Sequence, residues 1–257
     1  MPALPAIDVD SPITAAGQSL GAMPCSPFFE DEWVTIYHGD CREILPMLKA
    51  DAVVTDPPFG VGKDYGTFVD TQDNVAELVK EVFPLIRDAA PVALIATGTR
   101  AAWLWPMPDW VLGHYNPAGE SSGVWGFINW LPVLAYGKDP YLAAGMGRRP
   151  DSFTMRPRTY SPPNHPCPKH PDVWGWFVER ATPKPGQIVI DPFMGSGTTL
   201  LAAKNRNRRA IGIEIEERHC ETAAKRMSQG VLNFDEANVP ALAQSGGGKS
   251  PTKESNS

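Results

Sequence analysis

The chain has 257 residues, enough for one large domain with a sizeable core. No apolar run approaches the ~20 residues of a membrane helix, and Met1 to Leu20 has no basic start followed by an apolar stretch, so the expectation is a cytoplasmic protein without a signal peptide. A formal net charge of −6 speaks against an evenly basic nucleic-acid binder, and four scattered cysteines with no C-x-x-C pair make a poor zinc site and a poor disulfide framework.

In chain order, residues 1–25 read by composition as a flexible leader, followed by a domain over 26–235. Val34–Tyr37 is the first β-rich run, and His38-Gly39-Asp40-Cys41 follows it. Ala52–Thr55 is an all-but-apolar strand that delivers Asp56-Pro57-Pro58-Phe59-Gly60. Two prolines in succession stiffen that turn and remove two backbone donors. What remains exposed is a set of carbonyl oxygens, one carboxylate and one aromatic ring. That set suits an exocyclic amino group on a nucleobase. The Asp56 carboxylate and the Pro57 carbonyl can accept its two hydrogens, which aims the nitrogen lone pair at an incoming methyl group. Phe59 can stack on the base. A bare Asp-Pro-Pro would more simply be a surface turn; the strand before it and the glycine loop elsewhere change the balance.

A helix is expected over Asn74–Asp88, with Val75, Leu78, Val79, Val82 and Ile86 on one side and Pro84 as a source of a kink. Val92–Ala96 and Val133–Tyr136 read as further strands, and the tryptophans between them (Trp103, Trp105, Trp110, Trp125, Trp130) are expected to be mostly core. From Leu142 to Lys169 the basic residues are Arg148, Arg149, Arg156, Arg158 and Lys169, against Asp151 as the one acid. A basic segment on an acidic protein suits an enzyme that grips phosphates with one loop, while a plain solvated loop accounts for the charge as well; on the first reading the four arginines are the candidate DNA contacts.

Asp172–Ala181 reads as a helix with Asp172 as its N-cap. The strand Ile188–Ile190 then runs into Asp191-Pro192-Phe193-Met194-Gly195-Ser196-Gly197-Thr198-Thr199, and a helix over Thr198–Asn205 runs out of it. Gly195 and Gly197 allow a tight turn and close backbone approach to a ligand. The next strand, Ala210–Ile215, carries Glu214 about 20 residues on, where an acid can accept from both hydroxyls of a ribose. The pattern serves nicotinamide and S-adenosylmethionine sites alike, but Leu200 replaces the third glycine of the dinucleotide fingerprint. Glu216–Met227 is the last helix, and residues 244–257 read as a disordered tail. Alternating strands and helices imply a mostly parallel α/β sheet covered on both faces, with ligands beyond the carboxyl ends of the strands.

Together these segments resemble the S-adenosylmethionine-dependent amino-methyltransferases of DNA, in the β-class order where the catalytic half precedes the cofactor half. The likeness runs from about Phe28 to Met227 and implies a permuted Rossmann-like, twisted sheet with a small target-recognition insert at about 138–164. It assigns catalysis to Asp56, Pro57, Pro58 and Phe59. It assigns the methyl-donor site to Asp40, to His165 and Lys169 of the His-Pro-x-x-Lys element, to Asp191, Pro192, Phe193, Gly195, Ser196, Gly197 and Thr198, and to Glu214, with no metal. The implied reaction is direct methylation of an exocyclic amino nitrogen on a flipped-out base in double-stranded DNA, and one of the five tryptophans could wedge into or stack on the opened strand. Adenine N6 leads, because cytosine N4 enzymes of this type more often open the motif with Ser. A homodimer and a cognate restriction enzyme are the implied partners, and no membrane. Three departures stand out: Phe59 where the family usually has Tyr, His170 where proline commonly follows the lysine, and a short recognition region. The rival readings are a nicotinamide oxidoreductase and a DNA-binding relative without catalysis.

Overall fold

The computed structural model describes residues 25–63, 66, 68–117, 119, 121–155 and 170–229. The leader before Cys25, the tail over 244–257 and the predicted site residues Arg156, Arg158, His165 and Lys169 lie outside the described residues.

The elements in chain order are β1 (Phe29–Glu30), β2 (Val34–His38), α1 (Cys41–Ile44), β3 (Ala52–Thr55), α2 (Gln72–Ala89), β4 (Val92–Ala96), β5 (Trp110–Tyr115), β6 (Ser121–Gly123), β7 (Gly126–Ile128), β8 (Trp130–Tyr136), α3 (Pro140–Ala143), β9 (Ser152–Thr154), α4 (Pro171–Ala181), β10 (Ile188–Asp191), α5 (Thr198–Lys204), β11 (Arg209–Glu214) and α6 (Glu217–Ser228). Among the described residues nine strands form one sheet in the order β1-β2-β11-β10-β3-β4-β8-β5-β9, and β6 pairs with β7 in a separate hairpin. The run β2-β11-β10-β3-β4 is parallel throughout. β8 is antiparallel to β4, β5 is antiparallel to β8, and β9 runs parallel to β5.

The period of two along each strand splits the core. Ala52 and Val54 of β3, with Leu94 of β4 and Val189 of β10, pack beneath Trp174, Phe177 and Val178 of α4 and Leu200 of α5. Val53, Ile95, Ile190 and Ile213 point to the other face, against Val75, Val79, Val82 and Ile86 of α2. This two-sided burial is why the parallel strands read as continuous apolar runs.

Every predicted strand and helix is present, with ends shifted by a few residues at most. α2 continues through Pro84 and starts where the Thr71 hydroxyl accepts from the Asn74 amide. Two expectations are corrected. The N-cap of α4 is His170, whose Nδ1 accepts from the Asp172 amide, because Pro171 already occupies the first helical position. Of the five mid-chain tryptophans only Trp105 is buried, whereas Trp103, Trp110, Trp125 and Trp130 are exposed. Within the described part of the expected insert, β9 pairs with β5 at the edge of the main sheet.

Phe177 is fully buried at the centre of the α4 face. Phe177→Ala should cost about 3–5 kcal/mol of unfolding free energy, measured by urea titration.

Candidate active site

The parallel run places five strand ends along one edge, and the two signature loops follow neighbouring strands. β3 ends at Thr55 and passes to Asp56; β10, hydrogen-bonded beside it, ends at Asp191. Thr55 Oγ1 donates to Asp191 Oδ1 at 2.6 Å, so the root of the proline turn is bonded to the root of the glycine loop. Asp191 also accepts from the Phe193 amide at 3.1 Å and from the Thr199 hydroxyl. Burial pushes its pKa up to about 6; those three donors pull against the rise and the nearby Asp56 charge adds to it.

The glycine loop is held from outside itself. Glu214, at the end of β11, accepts from the Gly195 amide through Oε2 and from the Glu216 amide through Oε1, both at 2.9 Å. Arg226 of α6 donates to the Ser196 carbonyl, to Ser196 Oγ and to Thr198 Oγ1. Gly197 has φ +77°, and a Cβ there would lie 3.0 Å from Ala223 Cβ, so the loop sits directly on α6. Gly195 (φ +51°) faces the other way, and a Cβ on it would meet nothing within 4 Å. The loop is thus closed on its α6 side and open above Gly195. Each Glu214 oxygen keeps a lone pair for a further donor. An open backbone cradle beside a carboxylate fits the ribose and amino-acid portions of S-adenosylmethionine.

The proline turn has its own brace. Asp70 is buried, and its carboxylate accepts from the amides of Gly60 at 2.6 Å, Val61 at 3.0 Å and Lys63 at 3.0 Å. Gly60 (φ +71°) has a left-handed backbone that strains any side chain, and a Cβ would lie 3.0 Å from the Gln72 backbone. Phe59 lies against Gly98 beyond the end of β4, where a Cβ would meet its ring at 3.1 Å. Asp70 had no signal in the sequence beyond its place in a polar stretch before α2.

Asp40 sits at the same edge, after β2. It caps α1 by accepting from the Arg42 amide at 2.9 Å, and the Arg42 guanidinium engages both its oxygens. The hydrogen bonds from Arg42 hold its carboxyl below the usual range. Cys41 and Cys220 are buried, and burial pushes both thiols up to about 12, so neither is poised as a nucleophile.

Arg148 and Arg149 are placed elsewhere. They line a cavity of about 560 Å³ together with Val92 and Trp110, the first residues of β4 and β5, and Gly137, just past the end of antiparallel β8. That is the amino edge of the sheet, about 15 Å of strand away from Asp56. The sequence could not show this, because β9 was not recognised as the strand that carries the chain back toward the catalytic edge.

A permuted α/β sheet with a proline turn and a glycine loop on adjacent parallel strands defines a Rossmann-like methyltransferase. The family model for DNA methylases matches residues 97–225, half of the chain, and the protein belongs to that family of N6/N4 amino-methyltransferases, which use S-adenosylmethionine and act on DNA. The type II methyltransferase M.HpaI of Haemophilus parainfluenzae is 25% identical, covering 76% of this chain and 75% of its own. The DNA adenine methyltransferase YhdJ of Escherichia coli (strain K12) is 23% identical, covering 79% and 86%. Among solved structures, the PvuII DNA methyltransferase, described as cytosine-N4-specific, superposes with a TM-score of 0.63 at 16% identity, covering 85% of this chain and 92% of that one. At that identity the likeness is one of fold.

Two predictions follow from the braces. Asp191 has a folded pKa raised above its unfolded value, so the fold favours its neutral form. Relative to Asp191→Asn, the wild type should therefore lose stability as pH rises from about 4 to above 6, by about 3 kcal/mol at most; urea titrations across that range would show it, and a flat difference would exclude the shift. Asp70→Ala leaves three amides without their acceptor. It should lower kcat for methyl transfer about tenfold or more, while the affinity for S-adenosylmethionine, measured calorimetrically, changes less than about threefold.

Proposed function

We propose that this enzyme methylates the N6 amino group of adenine in duplex DNA, on a base turned out of the stack. The observation that carries the reading is the Thr55–Asp191 bond at 2.6 Å, which joins the Asp56 turn to the glycine loop on neighbouring strands. A donor cradled at Gly195 and a base held at Asp56 then meet over one edge of the sheet.

S-adenosylmethionine supplies an electrophilic methyl group. The rest is done by the chain. Gly195, Gly197 and the backbone from Asp191 to Thr198, including Pro192, Phe193 and Ser196, shape the cradle, and Glu214 takes the ribose hydroxyls on its remaining lone pairs. The Asp56 carboxylate and the Pro57 carbonyl accept the two amino hydrogens. They draw the nitrogen out of conjugation with the ring and fix its lone pair, and Asp56 stands where the surplus proton must leave. Phe59 stacks on the base; Pro58 stiffens the turn. With Asp40 tied to Arg42, a role for it on the donor's adenine requires the carboxylate to share its lone pairs. Asp at the head of the turn favours adenine, as does the name of the Escherichia coli relative. Cytosine N4 is the second reading, favoured by the stated specificity of the PvuII enzyme. The type II name of M.HpaI supports a modification enzyme working beside a restriction nuclease.

The test is to incubate the protein with labelled S-adenosylmethionine and unmethylated bacterial DNA, and to digest the product to nucleosides. Label on N6-methyl-2′-deoxyadenosine is expected; label on N4-methyl-2′-deoxycytidine would move the assignment to cytosine. Asp56→Ala should lower transfer by about 10²–10³-fold or more with the affinity for S-adenosylmethionine nearly unchanged. Full activity in that variant would remove Asp56 from the reaction.

A further inference from the structure

β5 and β8 do not stop at the edge of the sheet. The partner of Ala96, the last residue of β4, is Val133, yet β8 begins three residues farther out at Trp130, paired with Tyr115. Beyond that pair the Asn116 amide donates to the Asn129 carbonyl at 2.7 Å, and the Asn129 side chain donates to the Asn116 carbonyl at 3.0 Å. Asn129 joins β8 directly to β7 of the separate β6–β7 hairpin, whose turn is Val124-Trp125. β5 runs in the same sense as β4, so this overhang stands on the edge that carries Asp56 and Gly195. β8 is two strands from β3, about 10 Å across the sheet.

The tip is apolar and bare. Trp125 is 99% exposed, Val124 94% and Phe127 80%. Between Asn116 and Trp130 the one charged residue is Glu120. A soluble protein gains nothing from holding a tryptophan and its neighbours in water at the end of a projecting hairpin. The edge it overhangs is where a base must arrive, and a base in a duplex reaches a turn such as Asp56–Phe59 only by leaving its stack. An aromatic that enters the stack offsets part of the loss when the base departs.

We propose that the β6–β7 hairpin enters the DNA duplex, with Trp125 wedged against the base step that the target base vacates. The proposal rests on the DNA methylation reading and adds the element that opens the duplex. The amino edge, where Arg148 and Arg149 lie, takes no part in opening.

The test compares wild type, Trp125→Ala and Trp125→Phe on unmethylated bacterial DNA, native and heat-denatured, with labelled S-adenosylmethionine. Trp125→Ala is expected to lower transfer to native DNA about tenfold or more, to lower transfer to denatured DNA much less, and to leave the affinity for S-adenosylmethionine unchanged. Trp125→Phe keeps a ring and should recover part of the loss. Adding a native duplex should quench the emission present in wild type and missing in Trp125→Phe. The proposal is overturned if Trp125→Ala stays within twofold of wild type on native DNA, if both DNA forms lose activity equally, or if the duplex leaves that emission unquenched. It is overturned equally if the variant alters sedimentation, as loss of a self-association surface would, with the native-to-denatured ratio intact. A wild type inactive on every DNA sinks the methylation reading itself; an active wild type matched by Trp125→Ala sinks the wedge alone.

Discussion

The adjacency of β3 and β10 is the constraint on which the rest of the site depends. Parallel strands cannot be neighbours through a tight turn, so the sheet order must bring residues 55 and 191 together across most of the chain. Once they lie side by side, the Thr55 hydroxyl can reach the buried Asp191 carboxylate. That bond ties the root of the proline turn to the root of the glycine loop. Chain order is immaterial to it. The proline turn comes long before the glycine loop in sequence, yet β3 and β10 are hydrogen-bonded neighbours.

Both loops have backbone groups hydrogen-bonded by side chains from distant parts of the chain. Asp70 takes three amides behind the proline turn, Glu214 takes the Gly195 amide, and Arg226 binds the Ser196 carbonyl from α6. A loop without regular hydrogen bonding must find partners for its polar groups or expose them to water. Here the partners come from the start of α2, the end of β11 and the last turns of α6, so the layers that bury the core also hold the site. The cost is concentrated at Asp191, where a carboxylate is kept out of water beside the Asp56 charge.

The two edges of the sheet are differently equipped. The carboxyl edge carries the loops, the Phe59 ring and the projecting hairpin, with an apolar tip and little charge. The amino edge carries Arg148, Arg149 and a cavity walled in part by the Arg180–Asp139 ion pair. The basic character of that stretch of sequence is real, but its described part is turned away from the chemistry by the direction in which β9 runs.

The sequence by itself determined the local elements and the conformational character of the loops. Ala52–Thr55, Val92–Ala96 and Ile188–Ile190 were legible because strands buried on both faces must be apolar throughout, and Asp56–Gly60 and Asp191–Thr199 because prolines and glycines impose their conformation from within. β5 was not legible, since Gly113 and His114 interrupt its apolar pattern and its membership of the sheet depends on pairing with β8. Only the tertiary structure decided that Asp70 braces the proline turn, that Arg226 clamps the glycine loop and that Trp125 stands in solvent while Trp105 is core. Each of those facts is a contact, or the lack of one, between segments far apart in the chain. Residue type and spacing carry what a segment can do locally; burial and hydrogen-bond partnership belong to the packed sheet.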